Sequence, residues 1–156
     1  MDTEPPIPFL YRLLFLYLEP AGAFFGTIVN IFDPLQYLQS LSPTATASDY
    51  SPLSQPIYDQ LAAHLLYFSW SQAIVLRSTN DIKVWKALLF GMVLCDILHL
   101  FASYRVLGPE VFFSPSLWRW EEWVNFIMLY GPGGSRLAFC AGLGVGSVSH
   151  KAIKSL

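Results

Sequence analysis

Charge is what this sequence has least of. Only 13% of its 156 residues are Asp, Glu, Lys or Arg, where a soluble domain carries about a quarter. So small a charged fraction argues for lipid rather than water as the solvent. Nine Lys and Arg stand against eleven Asp and Glu, for a formal net charge of -2. The cations are scattered, so nothing resembles a basic stripe that could neutralise a phosphate backbone, and nucleic acid is not expected as a partner. Cysteine is scarce too. Cys95 and Cys140 sit in apolar runs without the spacing of a zinc site, a redox CxxC or a disulfide framework, and read as buried thiols. There is no GxSxG, HExxH, phosphate-cradling glycine loop, dinucleotide fingerprint or aspartate-rich prenyl diphosphate motif. Serine hydrolase, zinc protease, nucleotide and flavin chemistry therefore lack support, and neither metal nor cofactor is expected. The opening MDTEPPIPF is acidic and proline-rich, unlike the basic start of a cleavable signal peptide, so the first helix is expected to stay as a signal anchor.

What is present is apolar length. The chain is 54% hydrophobic and 16% aromatic, with a mean hydropathy of +0.44. A membrane-spanning helix needs about 20 mostly apolar residues, and four segments offer them: 9–32, 58–76, 84–104 and 120–148. The expected fold is all-α, a single polytopic membrane domain built as a four-helix bundle around an intramembrane polar cavity. The 33–57 connection is read as a loop with a short amphipathic segment at Leu35 to Leu41. The short RSTND connection makes the second and third helices an antiparallel hairpin. Arg12, Arg77, Lys83, Lys86, Lys151 and Lys154 fall on one face of the membrane and Arg105 and Arg119 on the other. The positive-inside rule then puts both termini in the cytosol and the 33–57 and 106–119 loops in the lumen. Endoplasmic reticulum is the default membrane for such a signal-anchored chain.

Ionisable groups inside a span cost about 2.5–3.5 kcal/mol each on insertion scales, so they normally face a protein interior or a wet cavity. Glu19 precedes Pro20 in the first span, and Gly22, Gly26 and Asn30 continue near one face, a small-residue strip for close helix packing. A structural bridge from Glu19 to Arg12 is the alternative. In the second span Gln60, His64, Tyr67 and Ser71 form a polar stripe, read equally well as a substrate wall or a packing network. The third span carries Asp96 and His99 one turn apart, with Ser103 on the same line. A carboxylate beside an imidazole can fix its tautomer, and either can serve as acid or base. In the fourth, Trp118, Glu122, Asn125 and Leu129 share a face, and Asn125 lies deep enough to orient a water or a substrate oxygen. Trp118 and Trp120 are interface anchors. The following GPGGSR is expected to break this helix into two pieces at Gly131 to Gly134, with Arg136 entering there. Gly142 and Gly146 form a GxxxG packing step.

The segments LYRLLFLYLEP, LRSTNDIKVWKALLFGMVLCDILHLFASY and the Trp and Asn of WRWEEWVN resemble a family of small fungal integral membrane proteins. That family includes the membrane epoxide hydrolases of aurovertin and citreoviridin polyketide pathways. The resemblance runs from Phe9 to about Gly146, with a poor match over 33–57, and its pattern falls on Glu19, Pro20, Asp96, His99, Trp123 and Asn125. It implies a cofactor-independent enzyme of fungal secondary metabolism that opens an epoxide on an apolar polyketide or terpenoid substrate drawn from the membrane.

Under that implication Glu19 and Asp96 are the acid and base in either order, His99 orients or relays, and Asn125 positions water. Tyr67, His64, Ser103, Trp123 and Glu122 are candidates to line the substrate site. Two carboxyls in one dry cavity would share a proton, one serving as acid and the other as base. Three other readings stay open: a lipid- or sterol-binding protein without chemistry, an isomerase or terpene cyclase of similar architecture, and a structural subunit whose polar residues only join helices. A homo-oligomer is compatible with each.

Overall fold

The computed structural model describes residues 7–145, and among these the chain is all-α, with five helices and no strand. The first, α1, runs over Phe9–Phe32 and contains a π-turn at Leu14–Leu18. Pro20 has no N–H to give the carbonyl of Leu16, and a wider turn is one way for a helix to absorb that loss. Asp33 ends α1 and caps α2, Pro34–Leu41, by accepting from the Gln36 N–H at 3.0 Å. The expected loop is therefore helical in its first third. Its remainder holds two short 3-10 turns, Ala47–Asp49 and Pro52–Ser54.

Helix α3 starts as Gln55–Trp70 and continues through a second π-turn, Ser71–Val75, into the 3-10 turn Leu76–Ser78. Asp81 caps α4, Ile82–Phe112, by accepting from the Lys83 N–H. This helix outruns the expected span. It kinks at Gly108, where φ is +73°, and Pro109 restarts it, which makes the first part of the anticipated 106–119 loop helical. Helix α5, Trp120–Cys140, is continuous. The expected break at Gly131 to Gly134 does not occur, because Pro132 removes only one backbone donor and packed neighbours hold the turn. The helix ends eight residues short of Val148. There Gly142, at φ +84°, donates to Phe139 and Leu143 donates to Ala138, a Schellman stop that only a residue tolerant of left-handed backbone makes easily. Gly142 thus terminates the helix, and the GxxxG step expected with Gly146 reaches outside the described residues. Gly146, Val148, Lys151 and Lys154 lie outside the described residues.

Two helices, Phe9–Phe32 and Ile82–Phe112, are long and apolar enough to cross a membrane. The densest packing sets α1 along α3 and α4 along α5, while α2 touches both α1 and α5. The glycines of α1 permit close approach to both α3 and α5. A Cβ on Gly26 would lie 3.1 Å from the Leu65 side chain, and one on Gly22 3.2 Å from Met128 of α5. Thr27 donates to the Ala62 carbonyl at 3.3 Å and Ser69 to the Pro20 carbonyl at 2.9 Å. The buried residues of α3 are thus Ala62, Ser69, Ser71, Gln72 and Leu76. One end of the bundle is filled by Phe15, Leu16, Leu76, Trp85, Leu89, Met92 and Phe139. Toward the other end Phe126 lies among Phe112, Trp118 and Tyr130.

Candidate functional site

One turn inward from the filled end, three charged side chains meet. Glu19 comes from α1, directly after the π-turn that contains Phe15 and Leu16. Asp96 is one turn beyond Met92 on α4, and Arg136 one turn before Phe139 on α5. The guanidinium of Arg136 donates through Nη2 to Glu19 Oε2 at 2.5 Å and through Nη1 to Asp96 Oδ2. Gln72, within the π-turn of α3, donates its amide to the same Glu19 oxygen. Arg12 is exposed and donates to Asn80 instead, so the bridge from Glu19 runs to α5. Close approach on α5 is secured by Gly133, where a Cβ would sit 3.3 Å from Asp96 Oδ2.

The cluster is incompletely satisfied. Glu19 Oε1 and Arg136 Nε are both buried without a hydrogen-bond partner among the described residues, and a buried polar atom left unpaired costs about 1–3 kcal/mol, more when charged. The cluster also borders a cavity of about 530 Å³, whose wall includes Glu19, Gln72, Asp96, Arg136, His64 and His99 among apolar side chains such as Leu65, Phe68 and Met128. A ligand oxygen or a water arriving from that space is what the free carboxylate oxygen and guanidinium N–H suit.

The sequence-derived candidates divide accordingly. Glu19 and Asp96 come together through Arg136, and His64 and His99 share their cavity. His64 packs its ring on Phe68 with centroids 4.6 Å apart. No hydrogen bond joins Asp96 to His99 among the described residues, since the carboxylate turns to Arg136. Ser103 is buried on the wall of a second cavity of about 370 Å³. Asn125 donates to the Ser103 hydroxyl at 3.4 Å and lines neither cavity, so it supports Ser103 rather than facing the space. Tyr67 is 61% exposed and points out of the bundle, and Trp123 stands edge-on to Trp118 at its surface. Glu122 is buried as a helix cap, ion-paired with Arg119 and accepting from its backbone N–H at 2.8 Å. Arg136 and Gln72 were not among the candidates. Arg136 carried a signal, a lone cation in an apolar run that also contains no acid of its own beyond the first turn of the helix.

A family model, the domain of unknown function DUF7704, matches residues 5–146. The chain belongs to the DUF7704 family. Its match to DUF7704 covers all five helices and so includes every member of the charged cluster. No curated protein and no solved structure matches this DUF7704 chain.

Proposed function

We propose that the chain is a membrane-embedded acid–base enzyme that opens an epoxide on an apolar substrate of the polyketide or terpenoid kind, in fungal secondary metabolism. The observation that carries this reading is the bridge of one guanidinium between two carboxyls from different helices, at a cavity wall, with one carboxylate oxygen left free. With both acids ionised the trio has one negative charge in excess. A single proton neutralises it and leaves one carboxyl as acid and the other as base, two roles fixed by one environment. The protonated carboxyl gives its proton to the epoxide oxygen as the C–O bond breaks. The ionised one takes a proton from the water that attacks carbon, and the product is a diol. An internal hydroxyl in place of water gives a cyclic ether by the same proton transfers. Each positioned acid or base contributes about 10²–10⁴ in rate.

The membrane setting of all four long helices belongs to the same proposal. Phe25 of α1, Trp70 of α3, Phe101 of α4 and Ile127 of α5 are each more than half exposed, and outer faces of that kind suit hydrocarbon rather than water. In this reading α3 and α5 span beside α1 and α4, the cluster lies within the bilayer, and both ends of the chain face the cytosol from the endoplasmic reticulum.

The test is turnover of a lipophilic epoxide by protein purified into lipid nanodiscs. Glu19→Gln and Asp96→Asn are each expected to lower it by about 10²–10⁴. Full turnover in both variants overturns the proposal. A second reading, binding of an apolar ligand without chemistry, draws on the apolar majority of the cavity wall and predicts a ligand recovered unchanged.

A further inference from the structure

The two cavities share three wall residues, Tyr37, Leu61 and His99, and so adjoin at a waist. On one side the larger chamber holds the charged cluster. On the other the chamber of about 370 Å³ is walled by Leu38, Leu41, Ile57, Ala102 and Val106, with Tyr58 and Ser103. The chemistry of the walls differs between the two, ionic in the larger and apolar in the smaller. Both ends are of a size that takes small organic ligands.

The waist has its own polar group. The Tyr37 hydroxyl makes no hydrogen bond among the described residues, and its ring stands edge-on to Tyr58 with centroids 6.4 Å apart. Burial, with Tyr58 adding to it, pushes the Tyr37 phenol up to about 12, so it keeps its proton and remains a donor. Tyr37 belongs to α2, whose place is fixed by the Asp33 cap and by Arg119, which donates to the Gln39 carbonyl at 3.4 Å.

We propose that the two chambers form one channel for a single-chain apolar ligand with an oxygen function at its head, seated with the head against Glu19 and Arg136 and the tail past Tyr37 in the far chamber. Arg136 Nε and Glu19 Oε1 are both buried and unpartnered among the described residues, which gives an epoxide or hydroxyl oxygen a donor and a hydroxyl hydrogen an acceptor. A flexible chain threads a waist, whereas a fused ring system would fill one chamber and leave the other empty. The proposal deepens the acid–base reading by naming the shape of its substrate, and rests on that reading only for what happens at the head.

Photolabelling in nanodiscs tests it independently of turnover. The probes are a terminal epoxide on a hexadecyl chain with a diazirine at the far end, the same epoxide with the diazirine beside the head, and hexadecanol versions of both. The far-end probes are expected to label peptides containing Leu41, Tyr58 or Val106, and the head probes those containing Ala23 or Phe68. Unlabelled hexadecanol should compete with all of them. Ala102→Trp, on the wall of the far chamber alone, should cut far-end labelling at least about tenfold while head labelling stays within about twofold. Val106→Trp on the same wall serves if Ala102→Trp does not fold. Far-end labelling scattered over the outward residues Phe101 and Ile127, or insensitive to competitor, overturns the channel. Unopened epoxide with the expected labelling leaves the channel standing and removes the chemistry; opened epoxide with scattered labelling does the reverse.

Discussion

Arg136 is joined to Glu19 by a buried ion pair of 2.5 Å across 117 positions of sequence. Removing one partner of such a pair strands the other as an uncompensated charge, which costs about 3–5 kcal/mol. Arg136→Gln is expected to lose stability on that scale, read as a lowered midpoint of thermal unfolding in nanodiscs. Arg136→Lys should rescue little, because an ammonium is a point donor that cannot span two carboxylates as a planar guanidinium does. Adding Glu19→Gln and Asp96→Asn to Arg136→Gln should restore most of the loss, since no charge is then left alone. A triple variant no more stable than Arg136→Gln would refute this account.

Gln72 bonds the same carboxylate from the π-turn of α3. Gln72→Leu keeps the volume and removes the donor, and a hydrogen bond to a charged group is worth about 1.5–3 kcal/mol. The expected result is a loss of that size, with a smaller one in Glu19→Gln background because the acceptor is no longer charged. Equal losses in both backgrounds would show that the amide does not act through Glu19.

Glycines offer a comparison within one bundle. Gly26 has Leu65 at 3.1 Å from where a Cβ would be, while Gly91 has open space around it. Gly26→Val should cost about 1–3 kcal/mol by overpacking. Gly91→Ala should gain up to about 1 kcal/mol of helix propensity. Thermal midpoints moving in the same direction for the two variants would contradict the packing described for α1 and α3.

Asp49 provides a pH dependence outside the long helices. The Thr46 backbone N–H, at 2.8 Å, and the Thr46 hydroxyl hold its carboxyl below the ordinary value of 3.8. Its contribution is present above 3.8 and is lost as pH falls through the lower folded value. The 47–49 turn is therefore expected to fray only in acid below that point, read as faster amide exchange at Thr46. Asp49→Asn should weaken the turn's protection at neutral pH and remove its acid dependence, and an unchanged profile would argue against this cap.

The parts of the cluster differed in how plainly they stood in the sequence. Glu19 and Asp96 were legible because an acid in an apolar run is costly wherever it lies, and that cost demands an explanation. Arg136 was obscured by the GPGGSR beside it, which reads as a break, whereas the packed helix passes through Pro132 unbroken. Gln72 is neutral and gives no such alarm. The stripe of Gln60, His64, Tyr67 and Ser71 divides for a geometric reason: Ser71 is buried and His64 lines the larger cavity, while Tyr67 does neither. The buried residues of α3 are Ala62, Ser69, Ser71, Gln72 and Leu76, and Tyr67 lies off that face and projects outward. Polarity alone does not tell a helix which way to turn when its neighbours approach through glycines. The short α2 was half legible as an amphipathic segment, and Tyr37 at its centre was not, because a tyrosine in a connecting segment is ordinary until the cavities on either side of it are seen.

The separation of Glu19 from Arg136 also sets an order of events during synthesis. At ribosomal speeds of about 5–20 residues per second, the acid leaves the exit tunnel on the order of ten seconds before its cation. Gln72 and then the second acid, Asp96, follow Glu19 while the sole counter-charge of the trio is still unmade. Helix α5 therefore completes the trio, and a nascent chain halted before it carries two acids without their cation.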